Sequence, residues 1–134
     1  MDNYIEQLRN HNLKATPQRT AIAHSLDNHG HLSVEQLYEL LKQSFSTLSL
    51  ATIYKNINIM TKNSFVSEVK IPEQKSVYEL TKAKHSHFVC RNCNEVHDIA
   101  FDLDEIIQNA SKKTESTIES AHLVFSGVCH QCKS

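Results

Sequence analysis

Residues 84 to 98 read KHSHFVCRNCNEVHD, and the chain closes on GVCHQC followed by two further residues. Thiols, imidazoles and a carboxylate at this density are the material of metal sites. All four cysteines fall into two C-x-x-C pairs, Cys90/Cys93 and Cys129/Cys132. Each pair has the spacing of a knuckle that aims two thiolates at one ion at about 2.3 Å, and two knuckles complete a tetrahedral site suited to zinc. The 35 residues between the pairs exceed the gap of a compact zinc ribbon, so intervening structure must return the second pair to the first. A redox-active pair and unrelated cysteines are the competing readings, and the lack of any unpaired cysteine argues against both. Asn94, directly after the first knuckle, tolerates the left-handed conformation such a turn often needs.

The histidines pose a separate question, because a site of four thiolates is already full. His85 and His87 lie two apart and share one face of an extended segment. Glu79 lies six residues before His85, and Asp98 five after Cys93. Nitrogen and carboxylate ligands suit iron, manganese, zinc or cobalt, whereas thiolates favour zinc. The bland alternative is an exposed polar strand with no ion, and His97 is read as a surface residue.

These groups need elements to position them. Thr16 and Pro17 in ATPQRTAIAHSLDNH form a helix start, with threonine as N-cap and proline at the first helical position. Ser33 and Gln36 form a capping-box pattern ahead of a helix whose predicted buried stripe is Val34, Leu37, Leu40 and Leu41. A helix beginning after Ser49 places Leu50, Ile53, Ile57 and Met60 on one face. Its other face carries Thr52, Lys55 and Asn56, with Tyr54 at the margin and Asn63 as a left-handed C-terminal cap. An earlier helix spans roughly residues 3–11. FVSEVKI and SVYEL, joined by PEQK, read as a β-hairpin. Further on, HFVCRNCNEVHDIAF reads as a second hairpin. LDEIIQNASKK reads as a helix with Leu103, Ile106 and Ile107 inward, and TIESAHLVF as a returning strand.

Composition sets the outer limits. With 134 residues, 40% apolar and 22% charged, the chain is one ordinary domain or two small ones of a soluble protein. Its acidic, polar start is not a signal peptide and no stretch matches a membrane span, so a cytoplasmic location with reduced thiols is expected. Net charge is −1 and evenly spread, so bulk charge does not point to nucleic acid. Local order does: helices followed by a hairpin are the order of a winged helix-turn-helix, whose last helix enters the major groove. The Thr/Lys/Asn/Tyr face could contact phosphates and base edges. A protein-binding winged helix, or a plain solvated face, fits the same periodicity.

LKATPQR, SLATIYKNINIM, KSVYELT, HSHFVCRNC and GVCHQC, in that order and across most of the chain, closely resemble the ferric uptake regulator family. The resemblance implies an α+β protein that binds a double-stranded DNA operator as a homodimeric, metal-dependent repressor, without enzymatic activity. It implies a winged-helix DNA-binding domain at 1–80, a hinge at 81–84 and an α/β dimerisation and metal-binding domain at 85–134. Cys90, Cys93, Cys129 and Cys132 would hold structural zinc. His31, Glu79, His85, His87 and Asp98 would form a regulatory site for Fe(II) or Mn(II), clamping the two domains. Arg19, Thr52, Tyr54, Lys55 and Asn56 are the expected DNA contacts. Asp98 resembles the ligand of the peroxide-sensing branch, whereas Glu79 resembles that of the iron-sensing branch. The positions matching a third family metal site are Lys84, Ser86, Glu105 and Ala121, with His122 displaced by one, so that site is expected to be absent. Leu32 stands where a proline commonly follows the histidine, Lys55 where arginine is common, and Ser64 and Asn94 where glycines are common. The rival classes are a mononuclear iron enzyme using His85, His87 and a carboxylate, and a zinc-stabilised module without DNA binding.

Overall fold

The computed structural model describes residues 3–81, 86–100, 102–119 and 121–133. The chain forms two compact units, Met1–Thr81 and Lys82–Ser134. Residues 82–84 of the expected hinge, and His85, lie outside the described residues. Among the described residues no helix is long and apolar enough to cross a membrane.

The first unit contains helices α1 (Tyr4–Asn10), α2 (Pro17–His29), α3 (Val34–Leu41) and α4 (Leu50–Lys62). The antiparallel strands β1 (Val66–Val69) and β2 (Val77–Leu80) follow. The helix starts are those the capping patterns predict. Thr16 Oγ1 accepts from the Arg19 N–H with Pro17 next in line, and Ser33 and Gln36 complete a reciprocal capping box. The core joins Leu8, Ile22, Leu26, Leu37, Ile53, Ile57, Met60 and Val66. This is four helices and a β-wing around one apolar centre, a winged helix-turn-helix with an added N-terminal helix.

Helix ends use an unexpected device for a chain with two glycines. Asn63 is not left-handed (φ −91°); Ser64, one residue later, is (φ 64°). The Ser64 N–H then reaches the Thr61 carbonyl at 3.0 Å and the Phe65 N–H the Met60 carbonyl at 3.0 Å, a Schellman closure. Phe65 and Met60 are both buried, which supplies its apolar contact. Asn63 serves elsewhere: its side-chain amide donates to the carbonyls of His11 (2.9 Å) and Asn12 (3.3 Å). The end of α1 repeats the closure on Asn12 (φ 61°), with the Leu13 N–H on the Leu8 carbonyl at 2.9 Å.

Two leucines assigned to buried stripes are exposed instead, Leu40 at 43% and Leu50 at 38%. In α3 the buried residues are Val34, Leu37 and Leu41. A helix turns about 100° per residue, which swings Leu40 away from Leu41 and off that stripe. Leu50 is the first residue of α4, at the flank of a stripe centred on Ile53, Ile57 and Met60.

The second unit is a three-stranded sheet in the order β4-β3-β5, with β3 (Ser86–Cys90), β4 (Val96–Ile99) and β5 (Val124–Gly127). The β3–β4 pair is antiparallel and the β3–β5 pair parallel. A parallel pair needs a long crossover, here carried by α5 (Asp104–Thr114). The strand expected over TIESAHLVF is shorter and later: among its described residues only Val124 and Phe125 belong to β5. Helix α5 buries none of its own residues; Leu103 before it is buried, but Ile106 is 49% exposed, against the inward placement expected for it.

The α3 stripe yields a paired test. Leu37→Ala, at a fully buried site, should cost roughly 2–5 kcal/mol in urea unfolding, and Leu40→Ala should change stability by less than about 1 kcal/mol. Equal costs at the two positions would contradict the packing described here.

Candidate metal centres and nucleic-acid face

The parallel pairing of β3 with β5 solves the 35-residue problem. Cys90 ends β3 and pairs with Gly127, the last residue of β5, so Cys129 emerges beside Cys90. The Arg91 N–H continues the ladder to the Gly127 carbonyl at 2.8 Å. A β-carbon on Gly127 would lie 3.3 Å from the Phe88 ring, so a larger residue would require that ring to shift by a few tenths of an ångström. Asn94 takes the left-handed turn (φ 64°) that its type allows, and its N–H bonds the Cys90 carbonyl at 2.8 Å.

All four sulfurs lie within 4.8 Å of one another, and Cys93 Sγ is 3.8 Å from Cys129 Sγ. Zn–S bonds of about 2.3 Å in a tetrahedron require sulfurs about 3.8 Å apart, so the donor set fits zinc in both type and spacing. Cys90 Sγ accepts backbone N–H bonds from Cys93 at 3.4 Å and Cys129 at 3.3 Å. Those two N–H groups favour the thiolate and pull the Cys90 thiol down to about 6. The Glu95 N–H acts in the same direction on Cys93, but desolvation and the neighbouring Cys90, Cys129 and Cys132 outweigh it and push Cys93 up to about 12. The Cys93 and Cys132 thiols, crowded beside the Cys90 thiolate, resist ionisation unless a cation is shared between them.

The nitrogen and oxygen candidates form one pair in each unit. In the first, the Gly30 N–H caps α2 on the Leu26 carbonyl at 2.8 Å and the chain turns at φ 82°. Leu32 then exchanges two hydrogen bonds with Tyr78 of β2, at 3.1 and 2.8 Å. That bridge sets His31 beside the next residue of β2, with His31 Nε2 2.7 Å from Glu79 Oε1. Glu79 is 2% exposed, a burial that a carboxylate sustains only with a partner. In the second unit, His87 of β3 and Asp98 of β4 are direct cross-strand partners, His87 Nε2 standing 3.5 Å from Asp98 Oδ1. His87 is buried and Asp98 exposed. His97 is exposed and lies 3.4 Å from Glu95.

The five expected DNA contacts do not share one face. Tyr54 and Lys55 of α4 are exposed, and Thr52 is half-buried with its hydroxyl 2.8 Å from Ser49 Oγ. Asn56, placed on the exposed face by sequence, is buried. Its Oδ1 accepts from Arg19 Nε at 3.0 Å and its amide donates to Gln18 at 3.5 Å. Arg19 Nη1 also donates to the Lys14 carbonyl at 3.1 Å. The arginine therefore braces α2 against α4 through Asn56. The clue was available: Asn56 is three residues after Ile53 and four before Met60, the spacing of the buried stripe itself.

Two residues on this face escaped sequence reasoning. Glu35 of α3 accepts from Lys75 Nζ at 3.0 Å and from the Tyr54 hydroxyl at 3.4 Å. The Lys75 hydrogen bond is the main reason the Glu35 carboxyl sits below its ordinary range. No local pattern marks partners 40 positions apart.

Known proteins match this architecture from end to end. The profile of the Ferric uptake regulator family matches residues 10–126. A peroxide-responsive repressor of Staphylococcus epidermidis is 30% identical over 135 residues, covering 99% of this chain and 90% of that protein. The ferric uptake regulation protein of Bacillus subtilis is 32% identical over 139 residues, covering 98% and 93%. The crystal structure of the Vibrio cholerae ferric uptake regulator superposes with a TM-score of 0.76 at 30% identity, over 95% of this chain and all of that one. With its winged helix, its four-cysteine cluster and this match over most of its length, the chain belongs to the ferric uptake regulator family of metal-dependent transcriptional regulators.

Proposed function

We propose that this chain is a cytoplasmic, homodimeric DNA-binding repressor that senses peroxide through Fe(II), with Mn(II) as the unreactive alternative. The observation that carries the reading is that each unit holds one histidine–carboxylate pair, His31 with Glu79 and His87 with Asp98. Two protein ligands are too few for a tight site, whereas both pairs together with His85 supply a nitrogen and oxygen set suited to Fe(II) or Mn(II). An ion held by both pairs would bind one arrangement of the units in preference to all others and so populate it. Apparent operator affinity then scales with the fraction of molecules in that arrangement.

Ferrous iron, when bound, supplies one-electron chemistry with hydrogen peroxide that can oxidise an adjacent imidazole. The chain's own residues decide the consequence. Glu79, buried and hydrogen-bonded, orients His31, while the bridge of Leu32 to Tyr78 holds the histidine against β2. An oxidised His31 would lose its ligand nitrogen and with it the link between the pairs. The four cysteines, chemically distinct, would retain zinc and the fold of the second unit. A sensor of iron supply is the second reading. The buried Glu79 favours it, as does the B. subtilis ferric uptake relative at 32% identity.

DNA contact would fall to Thr52, Tyr54 and Lys55 of α4, with Arg19 and Asn56 setting the angle of that helix. The homodimer is supported by apolar surface on the second unit, where Ile106, Phe125 and Val128 are 49%, 40% and 36% exposed. β5 is also an edge strand of the described sheet. A unit of about 50 residues has too little core to stand alone, and a symmetric partner is a common supplement.

The protein loaded anaerobically with Fe(II), treated with a modest excess of hydrogen peroxide and digested for peptide mass spectrometry should gain oxygen at His31 or His85. A manganese-loaded control should not. Unmodified histidines on protein shown to hold iron would exclude peroxide sensing and leave iron supply as the signal. Cys90→Ser and Cys129→Ser should each abolish retention of one zinc per chain and lower the melting temperature. Zinc affinity of the wild type, measured by chelator competition, should rise with pH, because the Cys93 and Cys132 thiols are held protonated and must ionise to bind.

A further inference from the structure

One carboxylate joins three elements of the winged helix. Glu35, in the first turn of α3, accepts from Lys75 Nζ in the wing loop at 3.0 Å and from Tyr54 OH on α4 at 3.4 Å. Its place near a helix N-terminus favours the charged form. Beside it a cleft of about 240 Å³, lined by Val34, Glu35, Tyr54, Lys75, Ser76 and Tyr78, opens between the wing and α4. Side-chain packing therefore does not close this end of the wing onto the helix, and Glu35 spans the gap. Lys75 is 74% exposed and Tyr54 41% exposed, so both side chains present surface to solvent beside the α4 residues proposed above for DNA contact.

The energy of this contact is not its purpose. A solvent-accessible ion pair contributes about 0–1 kcal/mol to stability. Its geometric effect is larger, because the long, flexible lysine loses most of its rotamers when tethered and the phenol is held at one angle on α4. Groups already placed need not be ordered when DNA binds, and that pre-organisation favours the one duplex sequence whose edges match.

We propose that Glu35 is a positioning residue for sequence discrimination, tying Lys75 of the wing and Tyr54 of α4 into one preset reading unit. This rests on the DNA-binding reading above. The consequence is specific: loss of Glu35 lowers preference for the operator over other DNA more than it alters binding to DNA in general, although it removes a negative charge that repels phosphate.

The test starts from metal-loaded wild-type protein and a random double-stranded DNA library, from which a preferred sequence is selected. Affinities for that sequence and for a scrambled duplex are then compared at one salt concentration for wild type, Glu35→Gln, Tyr54→Phe, the double variant and Glu39→Gln. Glu39 is on the same helix, exposed and paired instead with Lys42, so its variant matches the charge change alone. Glu35→Gln should lower the ratio of the two affinities about threefold, within what a contact of this strength can bias, and Glu39→Gln should leave it unchanged. The double variant should lose less than the sum of the two single losses, since the two residues share the Glu35–Tyr54 contact. If Glu35→Gln strengthens both duplexes in parallel, as Glu39→Gln would, or if its loss adds fully to that of Tyr54→Phe, the proposal is wrong. Should the wild type select no sequence at all, the DNA-binding reading itself fails, a result separate from an operator-binding protein indifferent to Glu35.

Discussion

The second unit depends on the meeting of two chain ends at one sulfur. Cys90 Sγ receives N–H bonds from its own knuckle and from the knuckle that follows β5. The β3–β5 register makes that possible, since pairing Cys90 with Gly127 brings Cys129 alongside. A slip of one residue would turn every side chain of β5 to the opposite face and send the second knuckle away. Sheet register, the crossover through α5 and the thiolate cluster are therefore one constraint. The same cluster offers a unit with an unburied helix a source of order, since metal–thiolate bonds at these four cysteines would substitute for apolar core.

In the first unit the comparable constraint is the bridge between Leu32 and Tyr78. Two hydrogen bonds attach the segment after α2 to the wing, and the adjacent side chains, His31 and Glu79, are brought together as a result. The substitution of leucine for the proline common at this point is consistent with that geometry, because the bridge uses the Leu32 N–H, which proline lacks. Departures from family glycines are absorbed in a related way. Ser64 and Asn94 adopt the left-handed conformation themselves, at a cost of roughly 1–2 kcal/mol each that the hydrogen bonds they complete offset.

The α4 surface proposed for DNA contact illustrates how polar residues divide between exposure and bracing. Arg19 and Asn56 have the composition of DNA contacts, yet they bond each other across α2 and α4. Tyr54 and Lys55 remain at the surface, and Glu35 and Lys75 join the face from α3 and the wing. Binding by this family follows from membership; which of these side chains touch a duplex is a question of geometry that residue type alone does not answer.

What the sequence determined by itself is what neighbouring residues decide among themselves. The two C-x-x-C knuckles, the caps at Thr16, Ser33 and Ser49, the left-handed Asn94 and the order of helices before hairpin all arise within a few positions of backbone. Local sterics and hydrogen bonding act there regardless of the rest of the chain. The tertiary structure alone decided that Leu40, Leu50 and Ile106 face outward, that Asn56 bonds Arg19 across two helices, and that Glu35 meets Lys75. It also decided that a parallel strand, rather than a short loop, closes the four-cysteine cluster. Each of these depends on which face of an element finds a neighbour, and periodicity gives the faces of a helix or strand without saying what will pack against them.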